Sequence, residues 1–208
     1  GKHFHLDDAA ELQSDVEGRL TRSLVRTVTR DLDTLASSLA ARCPQVHLTA
    51  GIANYSKAVA VQTFQLDRHG AGSIEPESGL PRIARNDACI RFAAAPGLLV
   101  IDCDGDYDHI SDIMNANPVL ADYSYIETSS SSSCITGTDG REYRGVKGQH
   151  LYFHILDATD IPRTLATLHQ HLILAGLERH KISANGRFLE RSSIDLALRV
   201  PSQPIYIH

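Results

Sequence analysis

Tryptophan is absent from the chain, and methionine occurs once, at Met114. No apolar run approaches the roughly 20 residues that a membrane-spanning helix needs, and no signal-peptide pattern is visible. These absences exclude a helical membrane protein and point to no membrane partner. The four cysteines (Cys43, Cys89, Cys103 and Cys134) are scattered, with no C-x-x-C pair. That spacing argues against a structural zinc site and for reduced thiols in a cytoplasmic protein. Positive charge is also short. Twenty Lys and Arg face 25 Asp and Glu, a formal net charge of −5, so bulk electrostatics alone does not equip the chain to hold nucleic acid. Neither a P-loop nor an internal repeat is present.

The remaining composition is globular. Hydrophobic residues make up 42% and charged residues 22% of 208 positions, which suits one domain able to bury a full core. A start at Gly1 without Met suggests a domain excised from a longer protein.

Periodicity divides the chain. Leu20, Leu24, Val28, Leu32, Leu35 and Leu39 recur at spacings of four and three, predicting helix over residues 6–42. Asp7 and Glu11 mark its start and Cys43-Pro44 its stop. Residues 1–45 are therefore expected to form a helical segment packed on a core domain of residues 46–208. Within that core, strands are expected over 58–66, 98–103, near 122–128, 150–156 and 192–200. Helices are expected over 107–115 and 161–177, the latter with Pro162 in its first turn and Gly176 at its end. Residues 67–86 read as a loop, and the Ser-rich stretch 129–140 as a turn region with Asp139-Gly140 as a hairpin signal. Interleaved strands and helices with an inserted hairpin give an α+β fold class.

Three local patterns carry chemistry. In "LLVIDCD" (98–104) an apolar run meets Asp102 and Asp104. Residues i and i+2 of a strand share a face, so the two carboxylates stand side by side, a repulsion that a cation relieves. In "RGVKGQH" (144–150) two glycines flank Lys147 before His150 opens a strand. Gly145 and Gly148 let backbone N–H groups approach an anion, Lys147 supplies a point charge, and His150 can donate to a phosphate oxygen. In "RSSID" (191–195) Asp195 stands within an apolar pattern, where a lone carboxylate is costly unless paired or metal-bound. Three carboxylates can hold two divalent cations about 3.5–4 Å apart, as phosphoryl transfer uses them. Asp106 and Asp108 read as solvated or helix-capping, and His154 as structural.

The order of these patterns, DxD, a Gly-rich turn ending in His, then hydrophobic-Asp, resembles the three motifs of the archaeo-eukaryotic primase superfamily. "PGLLVIDCD" is similar to motif I of primase-polymerase domains from bacterial mobile elements and phages. "KGQHLY" is similar to motif II, and "ERSSID" to motif III. The resemblance covers about residues 80–200. It implies an RRM-like mixed or antiparallel sheet and template-directed nucleotidyl transfer, as DNA primase or DNA polymerase, in replication of a mobile element, plasmid or phage. It implies Mg²⁺ or Mn²⁺, two cations, held by Asp102, Asp104 and Asp195. His150, Lys147 and Gly148 take the nucleotide-phosphate role, with Arg191 beside motif III facing the triphosphate. Arg144 stands where many relatives have serine; it can grip a phosphate, or Ser131, Ser132 and Ser133 can supply hydroxyls from the preceding loop. The implied partners are a single-stranded DNA template, a primer, nucleoside triphosphates, and a helicase module on the same or a partner chain.

Two other readings fit parts of the pattern. One is a replication initiator domain that binds nucleotide or nucleic acid with little catalysis. The other is a DxD phosphatase with Asp102 as nucleophile, which would need threonine or valine after the second aspartate, where the chain has Gly105 and Asp106.

Overall fold

A computed structural model describes residues 2–7, 11–16, 22–28, 31–41, 47–103, 109–183 and 185–206. The chain begins with strands β1 (Lys2–Leu6), β2 (Leu12–Val16) and β3 (Arg22–Arg26), then helix α1 (Leu32–Ala40). Short strands β4 (His47–Leu48) and β5 (Ile52–Ala53) precede β6 (Lys57–Val61), helix α2 (Thr63–His69), β7 (Arg82–Ala84) and β8 (Ile90–Arg91). Next come β9 (Gly97–Cys103), α3 (His109–Ala116), β10 (Tyr125–Ser129), β11 (Ile135–Thr136), β12 (Glu142–Arg144) and β13 (Gln149–Ile155). Helix α4 (Ile161–Leu174), β14 (Arg179–Ile182), β15 (Phe188–Arg191) and β16 (Ile205–Tyr206) complete the order. The class is α+β.

The main sheet has the order β10-β13-β9, antiparallel throughout. Leu99, Val100 and Ile101 are all buried, as are Leu151, Tyr152 and Phe153 across from them. Neighbours along a strand face opposite ways, so both faces of this sheet are covered. That explains why its strands read as continuous apolar runs. Helix α4 buries Ile161, Leu165, Leu168 and Leu172, one stripe at spacings of four and three. Its end is set by Gly176 in the left-handed region (φ +75°), with the Leu177 N–H donating back to the Leu172 carbonyl at 2.9 Å. Leu35 and Leu39 of α1 and Ile113 of α3 join the same core.

A second core lies around the sheet β3-β6-β7, in which β6 and β7 run parallel. It buries Ala58 to Val61, Leu66, Ile83 and Ile90. Beside it, Arg22 makes a two-point ion pair to the nearly buried Glu75, at 3.0 and 2.8 Å. The Arg22 guanidinium and the Ser78 hydroxyl hold the Glu75 carboxyl down at about 2.

The expected helix over 6–42 is corrected: among the described residues of that range helix is confined to Leu32–Ala40, and residues 2–6, 12–16 and 22–26 are strands. Asp7 and Glu11 close a hairpin instead of starting a helix. The Asp7 N–H donates to the Glu11 carbonyl (3.0 Å), and the Glu11 N–H to Asp7 Oδ1 (2.9 Å). Leu24, counted in the helical stripe, is 69% exposed and sits opposite Val59 in the β3–β6 ladder. Long-range pairing overrides the local periodicity there. Leu20 lies outside the described residues. The helix that does form starts where Asp31 accepts from the Thr34 N–H at 2.7 Å.

Two further expectations are corrected. The strand over 58–66 ends at Val61, because Gln65 Oε1 accepts from the Gln62 N–H (3.2 Å) and helix α2 begins at Thr63. The strand over 192–200 is reduced to one bridge, Ile194 to Cys103. Asp195 then accepts from the Ala197 N–H at 3.0 Å, and residues Leu196–Arg199 coil into a 3₁₀ turn. The strands at β9, β10 and β13, helices α3 and α4, and the hairpin turn at Asp139-Gly140 stand close to their expected places.

Two measurements check this packing. A Cβ on Gly51 would lie 2.6 Å from Pro201 Cβ and 2.8 Å from Ile90 Cγ2. Gly51→Ala is expected to cost about 1–3 kcal/mol, read as a lower urea midpoint at unchanged slope; an unmoved midpoint contradicts it. The depressed Glu75 carboxyl stabilises the fold above the unfolded carboxyl value, and that stability is lost as pH falls toward about 2. Glu75→Gln should therefore flatten the acid limb of a stability–pH curve, and an unchanged limb contradicts the pairing.

Candidate active site

The register of one strand pair builds the site. In the β9–β13 ladder, His150 stands directly opposite Asp102, and in the β10–β13 ladder it stands opposite Thr128. Residues directly opposite one another share a face, so Asp102, His150, Thr128 and, two positions on, Tyr152 line up together. His150 Nε2 lies 3.3 Å from Asp102 Oδ1. Its other nitrogen, Nδ1, lies 3.4 Å from the Tyr152 hydroxyl, to which Thr128 Oγ1 donates at 3.4 Å. Thr128 thus donates to the Tyr152 hydroxyl, which in turn faces His150 Nδ1, and the other ring nitrogen faces the Asp102 carboxylate. The imidazole is 4% exposed. Its nitrogens face Asp102 and Tyr152, and the relay meets solvent at its two ends, the Asp102 carboxylate, 26% exposed, and the half-buried Thr128.

Asp195 arrives from the far end of the sequence. Its backbone N–H donates to the Asp102 carbonyl at 2.8 Å, next to the Cys103–Ile194 bridge. Its side chain is 29% exposed, and Arg191 Nη1 lies 3.8 Å from Asp195 Oδ1. The segment is held from behind as well: His169 Nδ1 on α4 is 2.8 Å from the buried Ser192 hydroxyl. Two half-exposed carboxylates thus flank one edge of the sheet. Asp104 lies outside the described residues.

The Gly-rich turn sits beside this edge and is pinned by serines. Ser130 Oγ donates to the Lys147 carbonyl at 2.7 Å. Ser133 Oγ accepts from the Lys147 N–H at 2.8 Å and donates to the Gly148 carbonyl at 2.9 Å. Gly148 takes φ +85°, and a Cβ there would stand 3.0 Å from both the Cys103 carbonyl and Ser130 Oγ. Only glycine fits where the turn approaches the end of β9 so closely. Lys147 is half-buried, with its backbone fixed by these bonds. Arg144 belongs to β12, opposite Ile135 in the inserted hairpin. Ser131 and Ser132 are half-buried in the loop between the pinning serines, and the Ser132 N–H faces Ser130 Oγ at 3.3 Å.

Sequence reasoning missed Thr128, Tyr152 and Ser130, and it cast Ser133 as a hydroxyl for phosphate, whereas Ser133 Oγ bonds the Lys147 N–H and the Gly148 carbonyl. Tyr152 was within reach of it, since position i+2 shares the face of His150. Ser130 and Ser133 follow from no spacing, because their partners are carbonyls and N–H groups across a turn.

The donor set consists of hard oxygens. Among the described residues, no group of three or more His, Cys, Asp and Glu side chains is arranged to hold a metal ion. Asp102 and Asp195 nonetheless fit Mg²⁺ or Mn²⁺, which bind through one or two carboxylates and fill the remaining positions with water and substrate phosphate. No helix among the described residues is long and apolar enough to cross a membrane. Comparison with protein-family models, curated proteins and solved structures finds no match to this chain.

Burial, and secondarily the nearby Asp102 charge, push the Tyr152 hydroxyl up to about 12 against the opposing Thr128 hydrogen bond. A folded value above the unfolded one stabilises the protein fully below about pH 10 and loses that stability as pH approaches 12. An alkaline titration followed at 295 nm should show one late tyrosine that Tyr152→Phe removes. A wild-type titration with no component near pH 12 contradicts the buried relay.

Proposed function

We propose that this chain is a two-metal nucleotidyltransferase that extends a primer along a single-stranded DNA template, a primase-polymerase catalytic domain. The observation that carries the reading is the meeting of Asp102 and Asp195, distant in sequence, through the 2.8 Å bond from the Asp195 N–H to the Asp102 carbonyl. The pinned 145–148 turn stands at the same strand end. The motif order of the primase superfamily supports it, and the three-stranded antiparallel sheet with α4 is compatible with the RRM-like core that the resemblance implies.

Each residue then has a physical task. Asp102 and Asp195, with Asp104, would hold Mg²⁺ or Mn²⁺. Such cations lower the pKa of an attacking 3′-hydroxyl and neutralise charge on the leaving pyrophosphate. His150 Nε2, 3.3 Å from Asp102 Oδ1, would set the direction in which that carboxylate offers its other oxygen, as partners behind metal ligands do. Its phosphate role would require Nε2 to leave Asp102. Lys147 and the backbone N–H groups around Gly145 and Gly148 are the groups beside the site suited to receive a triphosphate. Arg191, 49% exposed and beside Asp195, can swing from the carboxylate to a phosphate. A helicase module on the same or a partner chain would supply the unwound strand.

Arg191 also favours a second reading. A guanidinium 3.8 Å from Asp195 competes with a cation for that carboxylate, as expected of an initiator domain that binds nucleotide or nucleic acid without catalysis. Metal dependence separates the two readings.

Asp102→Asn and Asp195→Asn keep an oxygen to face His150 and one to accept from the Ala197 N–H while removing the charge. Each is expected to lower Mn²⁺-dependent nucleotide addition about a hundredfold or more, with stability within about 1 kcal/mol of the parent. Lys147→Ala should weaken triphosphate binding about tenfold by losing a charge-assisted contact. A primer-extension assay and a labelled-triphosphate titration measure these effects. Near-normal extension by Asp195→Asn overturns the assignment.

A further inference from the structure

Strands β14 and β15 form a hairpin that contributes to neither core. They pair antiparallel, with Arg179 directly opposite Arg191 and Ile182 opposite Phe188. Asn185-Gly186 makes the turn, Gly186 lying at φ +77°, and the Ser183 N–H donates to the Arg187 carbonyl at 2.8 Å. Alternation along each strand gives the ribbon two unlike faces. One carries Ile182 and Phe188, both exposed, with His180 over the Phe188 ring at 4.7 Å between centroids. His180 Nε2 lies 3.6 Å from Glu178 Oε1, so a carboxylate borders this aromatic face. The opposite face carries Arg179, Arg187 and Arg191 around the half-buried Leu189.

Charge and length define what the arginine face fits. Like charges directly opposite one another in a ladder repel, and Arg179 and Arg191 stand so in a chain whose formal net charge is −5. An anion on this face relieves that repulsion. Arg191 joins the row to the carboxylate site, its Nη1 lying 3.8 Å from Asp195 Oδ1. Arg187 stands four residues before it, about 13 Å away at ~3.3 Å per residue of strand. A lone triphosphate beside Asp195 does not reach along that row. A nucleic-acid strand does, since it carries one phosphate for every ~3.4 Å of helix axis. An unpaired base would seek an aromatic ring, and the described residues of this face hold none. A duplex turns its bases inward and its phosphates outward, so cations alone suffice to hold it.

We infer that the arginine face of the β14–β15 hairpin holds the phosphate backbone of the primer–template duplex beside the carboxylate site, through Arg179 and Arg187. The inference rests on the proposed polymerase reading for the identity of the duplex. The contact itself is measured without catalysis. It also reconciles an acidic chain with a nucleic-acid partner, since the phosphate contacts are few and confined to one face of one hairpin.

The test separates binding from chemistry. A labelled primer–template whose primer ends in a dideoxynucleotide is titrated with the full chain in EDTA, and anisotropy is read at several salt concentrations. Arg179→Gln and Arg187→Gln should each lower the slope of log affinity against log salt by about 0.9, a loss of roughly eightfold in affinity at 0.1 M salt relative to 1 M. Arg187→Lys keeps the charge and should keep the slope. Phe188→Ala, on the opposite face, should bind the duplex as the parent does. The unprimed template strand should lose much less affinity than the duplex in both glutamine variants. Unchanged slopes in both of them, an equal loss with the single strand, or absence of duplex binding by the parent overturns the inference and leaves the carboxylate assignment standing. A loss in Phe188→Ala that the arginine variants do not share overturns it in favour of the aromatic face. Asp102→Asn should bind the duplex and fail to extend an unblocked primer, so a failure of the catalytic reading shows in extension and a failure of the hairpin contact shows in binding.

Discussion

The pairing of β9 with β13 is the constraint on which the site depends. One register puts His150 opposite Asp102, and a shift of one residue would part them onto opposite faces of the sheet. The register is held from several directions. Leu99, Val100 and Ile101 pack on both faces against Leu151, Tyr152 and Phe153, so a slip would expose one core layer and bury the carboxylate. Gly148, at φ +85° against the Cys103 carbonyl, locks the strand end. The Asp195 N–H then docks on the Asp102 carbonyl, and the third motif joins an edge already built.

Much of the architecture around this pairing is legible in the residues. The run Leu98 to Cys103 and the stripe Ile161, Leu165, Leu168, Leu172 each announce their element, and Pro162 and Gly176 bracket α4. What the residues do not announce is pairing across distance. Leu24 and Val28 fit a helical period, yet β3 gains more by adding an edge to β6, and both side chains are exposed. "SSIDLALRV" looks like a strand, but the Asp195 carboxylate caps Ala197 and turns the chain. The same side chain that suggested chemistry is what ends the extended backbone.

The site was legible as a set of residue types and less so as an arrangement. Spacing brought Asp102, Lys147, Gly148, His150 and Asp195 into view, and the structure brings Asp102, His150 and Asp195 together. The orientation of His150 depends on Tyr152 and Thr128, which enter only once three strands are in register. The serine stretch divides likewise. Ser130 and Ser133 stiffen the turn from behind, a task that composition presents as flexibility. The hairpin with Phe188 stayed unread because its strands are short and exposed, although Asn185-Gly186 carries a strong turn signal.

The central claim is that Asp102 and Asp195 form one cation site at the end of β9. Paramagnetic broadening tests it without relying on activity. Substoichiometric Mn²⁺ added to the isotopically labelled chain should broaden the amide signals of Asp102, Cys103, His150 and Asp195 first, and Asp102→Asn should abolish that pattern. Selective broadening elsewhere, around Glu75 and Glu77 for instance, with these four signals unaffected, would contradict the account.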